Sequence, residues 1–308
     1  MLRQAAFVPD HRLLKGALHC HTTRSDGAGT PEEVIRLHAQ HGYDFMALTD
    51  HRIYNYRNFA DVPMTILGGM EMDKDLPHSG TVHCHHIVCL GPQESEDNGF
   101  HQDERFDALA GANPAPTQEM LDWLHANHNL TIYCHPEWSG TPAREFDYLR
   151  GNFAMEIWNS GCVDENGMDS NAAYWDELLA QGQHIFGVAT DDGHQMRQHC
   201  KGWVMVNSEN NVSAILNALE RGAFYSSCGP ELHDFYVENG KAHVVCSPAA
   251  EIVLRHLRTP YLVQRTVPGQ PGLTHAEFDV YPDRQQYVRA VVTDAQGRRA
   301  WSNPIFFG

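Results

Sequence analysis

The chain has 308 residues, 42% of them hydrophobic, which suffices for a large core and excludes a disordered polymer. Its 22 basic and 39 acidic side chains leave a formal net charge of -17, a field that repels polyanions, so no nucleic-acid polymer is expected as partner. A small anionic substrate held by bound cations stays open, because such ions invert the local field.

Residues 1–14 carry Pro9, Asp10, His11 and Arg12 in place of an apolar stretch, so they do not read as a signal peptide. No run is long enough to span a bilayer, and the expectation is a cytoplasmic protein without a membrane partner. Leu18 to Gly27 then forms an apolar strand end followed by a turn. Residues two apart on a strand point the same way, so His19 and His21 project together while Cys20 faces away, and Ser25-Asp26-Gly27 presents a carboxylate. Thr30-Pro31-Glu32-Glu33 predicts a capped helix to about His41, with Val34, Ile35, Leu37 and His38 on its inner face.

Strands follow at Tyr43–Thr49, ending in Asp50-His51, and at Met64–Gly69, ending in Met70-Glu71. Val82–Leu90 is a strand with His83, His85 and His86, where alternation puts His83 and His85 on one face and His86 on the other. Gly91 to Pro116 lacks periodicity and reads as an excursion or lid. Thr117 is expected to cap a helix to about Asn127, and Leu130–Cys134 ends in His135-Pro136. Phe153–Trp158 contains Glu156, a helix covers about Asn171–Gln181, and Ile185–Thr190 ends in Asp191-Asp192-Gly193-His194. Strands alternating with helices suggest a parallel α/β barrel or sheet with active residues at the strand ends. From about Leu232 the pattern changes to hairpins, with a two-residue turn at Asn239-Gly240. It predicts a small β-sandwich.

The strand ends offer His19, His21, Asp26, His51, Glu71, His86, His135, Asp192 and His194. Imidazole and carboxylate without thiolate suit two or three ions of zinc, manganese or iron in an open site, and a carboxylate such as Glu71 can bridge two of them. Eight cysteines without a Cys-x-x-Cys pair read as buried reduced thiols. Asp50 and Asp191 read as carboxylates that orient a ligand imidazole. Glu156 reads as a metal-proximal group or as a satisfied strand carboxylate. Arg24, Arg144 and Arg197 could clamp a phosphate or could be solvated surface charges. The remaining histidines, His38 and His199 among them, read as surface, helix or β-domain residues, and Trp123, Trp158, Trp175 and Trp203 as core.

His19-Cys20-His21 with Asp26, Thr49-Asp50-His51, Glu71, His135-Pro136 and Asp192-Gly193-His194 together resemble the sequential motifs of the polymerase and histidinol phosphatase (PHP) superfamily of metal-dependent phosphoesterases. The resemblance covers about residues 15–230. It implies a distorted (β/α)7 TIM-like barrel over residues 1–230 with a trinuclear metal centre, and a C-terminal β-sandwich over 231–308. The implied ligands are His19, His21, Glu71 and Asp192 for one ion; Glu71, His86 and His135 for a second; Asp26, His51 and His194 for a third. For the second ion His83 or His85 competes with His86. The implied catalytic residues are Glu71, Asp192 and His194. Some family members have an arginine near the His-Pro motif, where this chain has Glu137-Trp138. The stretch Ala218–Pro230 and the closing Trp301-Ser302-Asn303-Pro304-Ile305 resemble a branch that includes carbaryl hydrolase-like metallohydrolases. The expected activity is hydrolysis of a small phosphoester by metal-activated water. An ester, amide or carbamate hydrolase and a non-catalytic metal-binding module are the rival readings.

Overall fold

The structure is a computed structural model that describes residues 3–7, 12–93, 99–256, 261–267 and 269–307. It begins with β1 (Gln4–Ala5), β2 (Leu13–Ala17), α1 (Pro31–Gln40), β3 (Phe45–Ala47), β4 (Thr65–Asp75), β5 (Cys84–Gly91) and β6 (Leu109–Ala110). Next come α2 (Ala115–Ala126), β7 (Leu130–Tyr133), β8 (Asn152–Asn159), α3 (Ser160–Asn166), α4 (Asn171–Ala180) and β9 (Phe186–Thr190). They lead into β10 (Trp203–Asn207), α5 (Val212–Glu220), β11 (Phe224–Ser227), β12 (Leu232–Glu238), β13 (Lys241–Ala249) and β14 (Glu251–Arg255). Last are β15 (Tyr261–Arg265), β16 (Leu273–Asp279), β17 (Tyr287–Thr293), β18 (Arg299–Ser302) and β19 (Ile305–Phe306). None of the described helices is long and apolar enough to cross a membrane.

α1 starts as its sequence predicts. The Thr30 hydroxyl accepts from the Glu33 N–H at 3.3 Å while the Glu33 carboxylate accepts from the Thr30 N–H at 2.8 Å, a reciprocal capping box. α2 departs from expectation. It begins after Pro114, with no side-chain cap, and Thr117 is buried in its first turn. Prolines at 114 and 116 explain this, since fixed φ and a missing N–H suit a helix start without a capping oxygen.

The main sheet has the order β15-β14-β17-β18-β11-β10-β2-β3-β4-β5-β7-β8-β9, and a second sheet is β1-β12-β13-β16. Among the described residues, the strands that pair in parallel are β2–β3, β3–β4, β7–β8 and β8–β9, with β6 on β4. β4–β5, β5–β7 and β2–β10 are antiparallel. The expected distorted (β/α)7 TIM-like barrel therefore does not form as a run of parallel β/α units, because β4 runs eleven residues and turns straight back into β5 without a crossover helix. The sheet does curl. Leu14, Phe45, Leu67, Val88, Ile132, Ala154, Val188 and Val204 share one core cluster, which α5 covers with Ile215 and Leu219. The two ends of the curl meet just beyond β2 and β9, where Cys20 bridges Gly193 in parallel and the Asp192 N–H donates to the His19 carbonyl at 3.0 Å.

β12–β14 and β16–β19 form a second apolar cluster with Phe235, Val244, Ile252, Phe278, Val288 and Ile305. The main sheet runs into this part through β11–β18. Asn303 ties it down from inside, donating to the carbonyls of Gly222 and Phe224 at 3.1 and 3.0 Å and accepting from the Gly187 N–H at 3.3 Å. Asp176 of α4 pairs with Arg289 of β17, which is buried and lies 4.4 Å from the Trp175 ring centroid.

Residues 94–98 of the expected excursion lie outside the described residues. Its described remainder packs on α2, where Phe100 and Phe106 meet the Trp123 ring at 4.7 and 5.1 Å. None of residues 99–116 lines the cavity bounded by His51, Glu71, His135 and Asp192.

Candidate metal centre

The tips of β2 and β9 and the length of β4 converge on one buried cluster. His19 and His21 project together as alternation predicts, with their Nε2 atoms 3.1 Å apart. His19 Nε2 lies 3.4 Å from Glu71 Oε2 and 3.2 Å from Asp192 Oδ1, and His21 Nε2 lies 3.2 and 3.1 Å from the same two oxygens. Ligands about 2.0–2.1 Å from a shared ion stand about 3.3–3.4 Å apart at tetrahedral corners. These four donors already have that spacing.

Glu71 turns its other oxygen to a different set. Oε1 is 2.9 Å from His86 Nδ1 and 3.4 Å from His135 Nε2. A third set surrounds Asp26, whose Oδ2 is 3.5 Å from both His51 Nε2 and His194 Nε2. His51 also faces inward, with Nδ1 3.1 Å from Glu71 Oε2. All nine ligand candidates read from the sequence thus gather here. His86 is the inward member of its strand. His85 is buried on the opposite face against the Tyr133 hydroxyl at 2.8 Å, and His83 sits at the edge, bonded to Glu145. Glu71 lies inside β4 and not at a strand end, because β4 continues to Asp75.

The donor set fits divalent cations on the molecule's own showing. Asp192 Oδ1 and His51 Nδ1 are buried without a hydrogen-bond partner, an expensive state unless something else satisfies them. The ionisation pattern agrees. Burial opposes charging His19, yet Asp192, Glu71 and Glu156 hold its pKa well above the usual histidine value. Burial likewise opposes charging His21, and the nearby Asp192 and Glu71 carboxylates still raise it to about 9. Glu71 and Asp192 are held well below the carboxylate range, against burial, chiefly by His19. Protons on imidazoles stand in for the positive charge this site is built around. Backbone strain marks the same place, with positive φ at His135 (26°) and Asp192 (46°).

Neighbouring polar groups set the imidazole tautomers. Glu156 Oε1 is 2.6 Å from His19 Nδ1, and its Oε2 accepts from the His135 N–H at 3.1 Å. Ser139 Oγ lies 3.1 Å from His135 Nδ1. These contacts leave each Nε2 lone pair for an ion. Glu156 is therefore a satisfied strand carboxylate that positions ligands. Asp50 and Asp191 do something else than expected. Asp50 touches no imidazole and gathers the turn that carries Asp26, accepting from the Thr22 N–H at 2.7 Å and the Ser25 hydroxyl at 2.9 Å. Asp191 accepts from the N–H groups of Cys200, Lys201 and Gly202 and lies 3.3 Å from His38, which is buried on the inner face of α1 as its spacing predicts.

The cluster opens into a cavity of about 320 Å³. Sequence reasoning missed much of its wall: Trp138, Gly161, Cys162, Glu165, Asn166 and Gln195. Four of these lie on α3, whose signal was the Asn159 side chain accepting from the Cys162 N–H at 3.0 Å. Trp138 packs edge-on to His135 with ring centroids 5.1 Å apart. The three arginines do not line the cavity. Arg24 pairs with Asp103, while Arg144 and Arg197 are exposed beside Glu145 and Asp164. None is placed to clamp a substrate phosphate.

No protein-family model matches the chain, and a search of curated proteins returns no match. Among solved structures it is similar to a two-domain protein from Bacteroides vulgatus containing a predicted PHP-like metal-dependent phosphoesterase, at 13% identity and TM-score 0.46 over 94% of this chain and 93% of that one. A candidate metal-dependent phosphoesterase from Bifidobacterium adolescentis matches at 13% identity and TM-score 0.40, over 60% of this chain and 88% of that one. An amidohydrolase from Chromobacterium violaceum with bound sulfate and no metal matches at 14% and 0.39, over 59% and 88%. The reading of the site rests on its own residues.

Proposed function

We propose that the chain is a PHP-type metal-dependent hydrolase that cleaves a small phosphoester. The observation that carries this is Glu71, whose two oxygens face two different sets of imidazoles at 2.9–3.4 Å. Divalent ions, if held by His19, His21, Glu71 and Asp192 and by His86 and His135, would supply a water nucleophile at neutral pH and positive charge for the transferred group. Glu71 spaces the sets, Glu156 and Ser139 hold the ring nitrogens in register, and the cavity of about 320 Å³ has room for a small metabolite. In this reading residues 1–230 carry the chemistry and 231–308 brace it.

A second reading, hydrolysis of a carboxyl ester, amide or carbamate, is favoured by one observation. Among the described residues no lysine or arginine lines the cavity, and Glu165 does, so substrate charge must be met by the ions alone. The test is a panel of phosphoesters and carboxyl esters presented to metal-reconstituted wild type and Glu71→Gln. Phosphate release lost in the variant supports the first reading. Turnover of carboxyl substrates alone selects the second, and no turnover with no bound metal refutes both.

A further inference from the structure

Behind the catalytic centre lies a second cluster that its chemistry does not use. Because Cys20 sits between His19 and His21 on alternating backbone, its thiol points to the other side of the β2 tip. There Cys20, His38, Asp191 and His199, between 0% and 3% exposed, each place one donor atom within 4.8 Å of the other three. We propose that these four residues form a separate, closed site for a divalent ion of the zinc type.

His38 is prepared for this. Its Nδ1 lies 2.8 Å from the Val34 carbonyl, which fixes the proton there and turns the Nε2 lone pair inward. Nε2 stands 3.3 Å from Asp191 Oδ2 and 3.8 Å from Cys20 Sγ. Tetrahedral zinc with nitrogen, oxygen and sulfur ligands needs about 3.3 Å and about 3.6 Å between such pairs. A lone pair aimed at a carboxylate is repulsive unless a cation lies between them. His199 adds an independent sign, since its buried Nδ1 has no hydrogen-bond partner. Gly193 makes room for that ring, for a Cβ there would come within 2.5 Å of it.

Charge closes as well. One thiolate, one carboxylate, two neutral imidazoles and a dication sum to zero, which suits burial. The three N–H groups on Asp191 hold it in place as outer partners do for metal ligands. Such a site would fasten α1 and the loop after β9 to the two strand tips that carry His19, His21, Asp192 and His194. With no ion, the cluster would instead hold a His38 imidazolium on Asp191 beside a Cys20 thiol.

Cobalt separates these cases, because the nine-residue ligand set of the catalytic centre contains no thiolate. The full chain, stripped by chelator and reloaded with Co²⁺, is expected to show a thiolate-to-cobalt charge-transfer band in the near ultraviolet. The band should vanish in Cys20→Ser and persist in Cys200→Ser and Cys134→Ser, which remove two other thiols near histidines. His199→Ala should lose about one ion per chain by elemental analysis. A saturated, folded wild type without the band, a band that survives Cys20→Ser, or unchanged metal content in His199→Ala overturns the proposal. If circular dichroism shows that Cys20→Ser does not fold, the His199→Ala metal content decides.

Discussion

Replacing Glu156 by glutamine keeps the shape of a fully buried side chain and removes only its charge and half its accepting capacity. The structure dictates how the amide must settle. Oε2 receives the His135 N–H at 3.1 Å and the Asn159 amide at 2.8 Å, both fixed donors, so the glutamine oxygen must take that end. Its NH₂ then faces His19 Nδ1 and the Thr190 hydroxyl, which stand 2.6 and 2.7 Å from Oε1. Thr190 can accept instead of donating, but His19 can do so only by moving its proton to Nε2, the nitrogen that faces Glu71 and Asp192. That tautomer cannot bind an ion. Loss of such an outer partner typically weakens metal affinity 10–100-fold, about 1.4–2.8 kcal/mol. Competition against a fluorescent chelator measures it, with Thr190→Val as a control that removes one hydroxyl and leaves the His19 contact. Metal affinity in Glu156→Gln within twofold of wild type would falsify the claim that His19 binds through an Nε2 set by Glu156.

Glu71→Gln should lower metal content by more than one ion per chain and His86→Ala by about one, since the two oxygens of Glu71 face two donor sets and His86 belongs to one; equal losses by elemental analysis would contradict the bridge. Asp176→Ala should destabilise the fold by about 3–5 kcal/mol in urea, because it strands the buried Arg289 guanidinium whose Nε lies 3.0 Å from Asp176 Oδ1; a change below about 1 kcal/mol would show that α4 and β17 are held by other contacts. His85 supplies a pH prediction. Burial, helped by nearby Lys74, lowers its pKa to about 4, so the folded protein refuses a proton that the unfolded chain accepts near its ordinary value. Its contribution is complete above about pH 6.5 and falls toward pH 4 by up to about 3 kcal/mol. Urea midpoints between pH 7 and 4.5 should fall more steeply in wild type than in His85→Gln, and parallel slopes would sink the assignment.

The range of the forces involved decides how much of this molecule is legible in its sequence. The ligand candidates were legible because each is local chemistry at a local break: two histidines at strand spacing, an Asp-Gly turn, His-Pro, Asp-Gly-His. Periodicity also separated His86 from His83 and His85 by face, although only the position of Glu71 Oε1 says which face is inside. The antiparallel β4–β5 pair was not legible, because parallel and antiparallel ladders demand the same alternation and differ only in the connection that leaves the strand. Asp50 and Asp191 show the same limit from another side. Both stand beside metal-ligand candidates in the chain, and adjacency suggested that they serve those ligands. In the fold one gathers a turn and the other gathers three backbone N–H groups and His38, since a strand sends neighbouring side chains to opposite faces. The alternation that paired His19 with His21 also sends Cys20 and Asp191 behind the sheet to His38 and His199, two histidines that helix and loop positions alone marked as ordinary. One period-two rule thus yields two polar clusters back to back, and the second becomes visible only when the partner elements on its face are known.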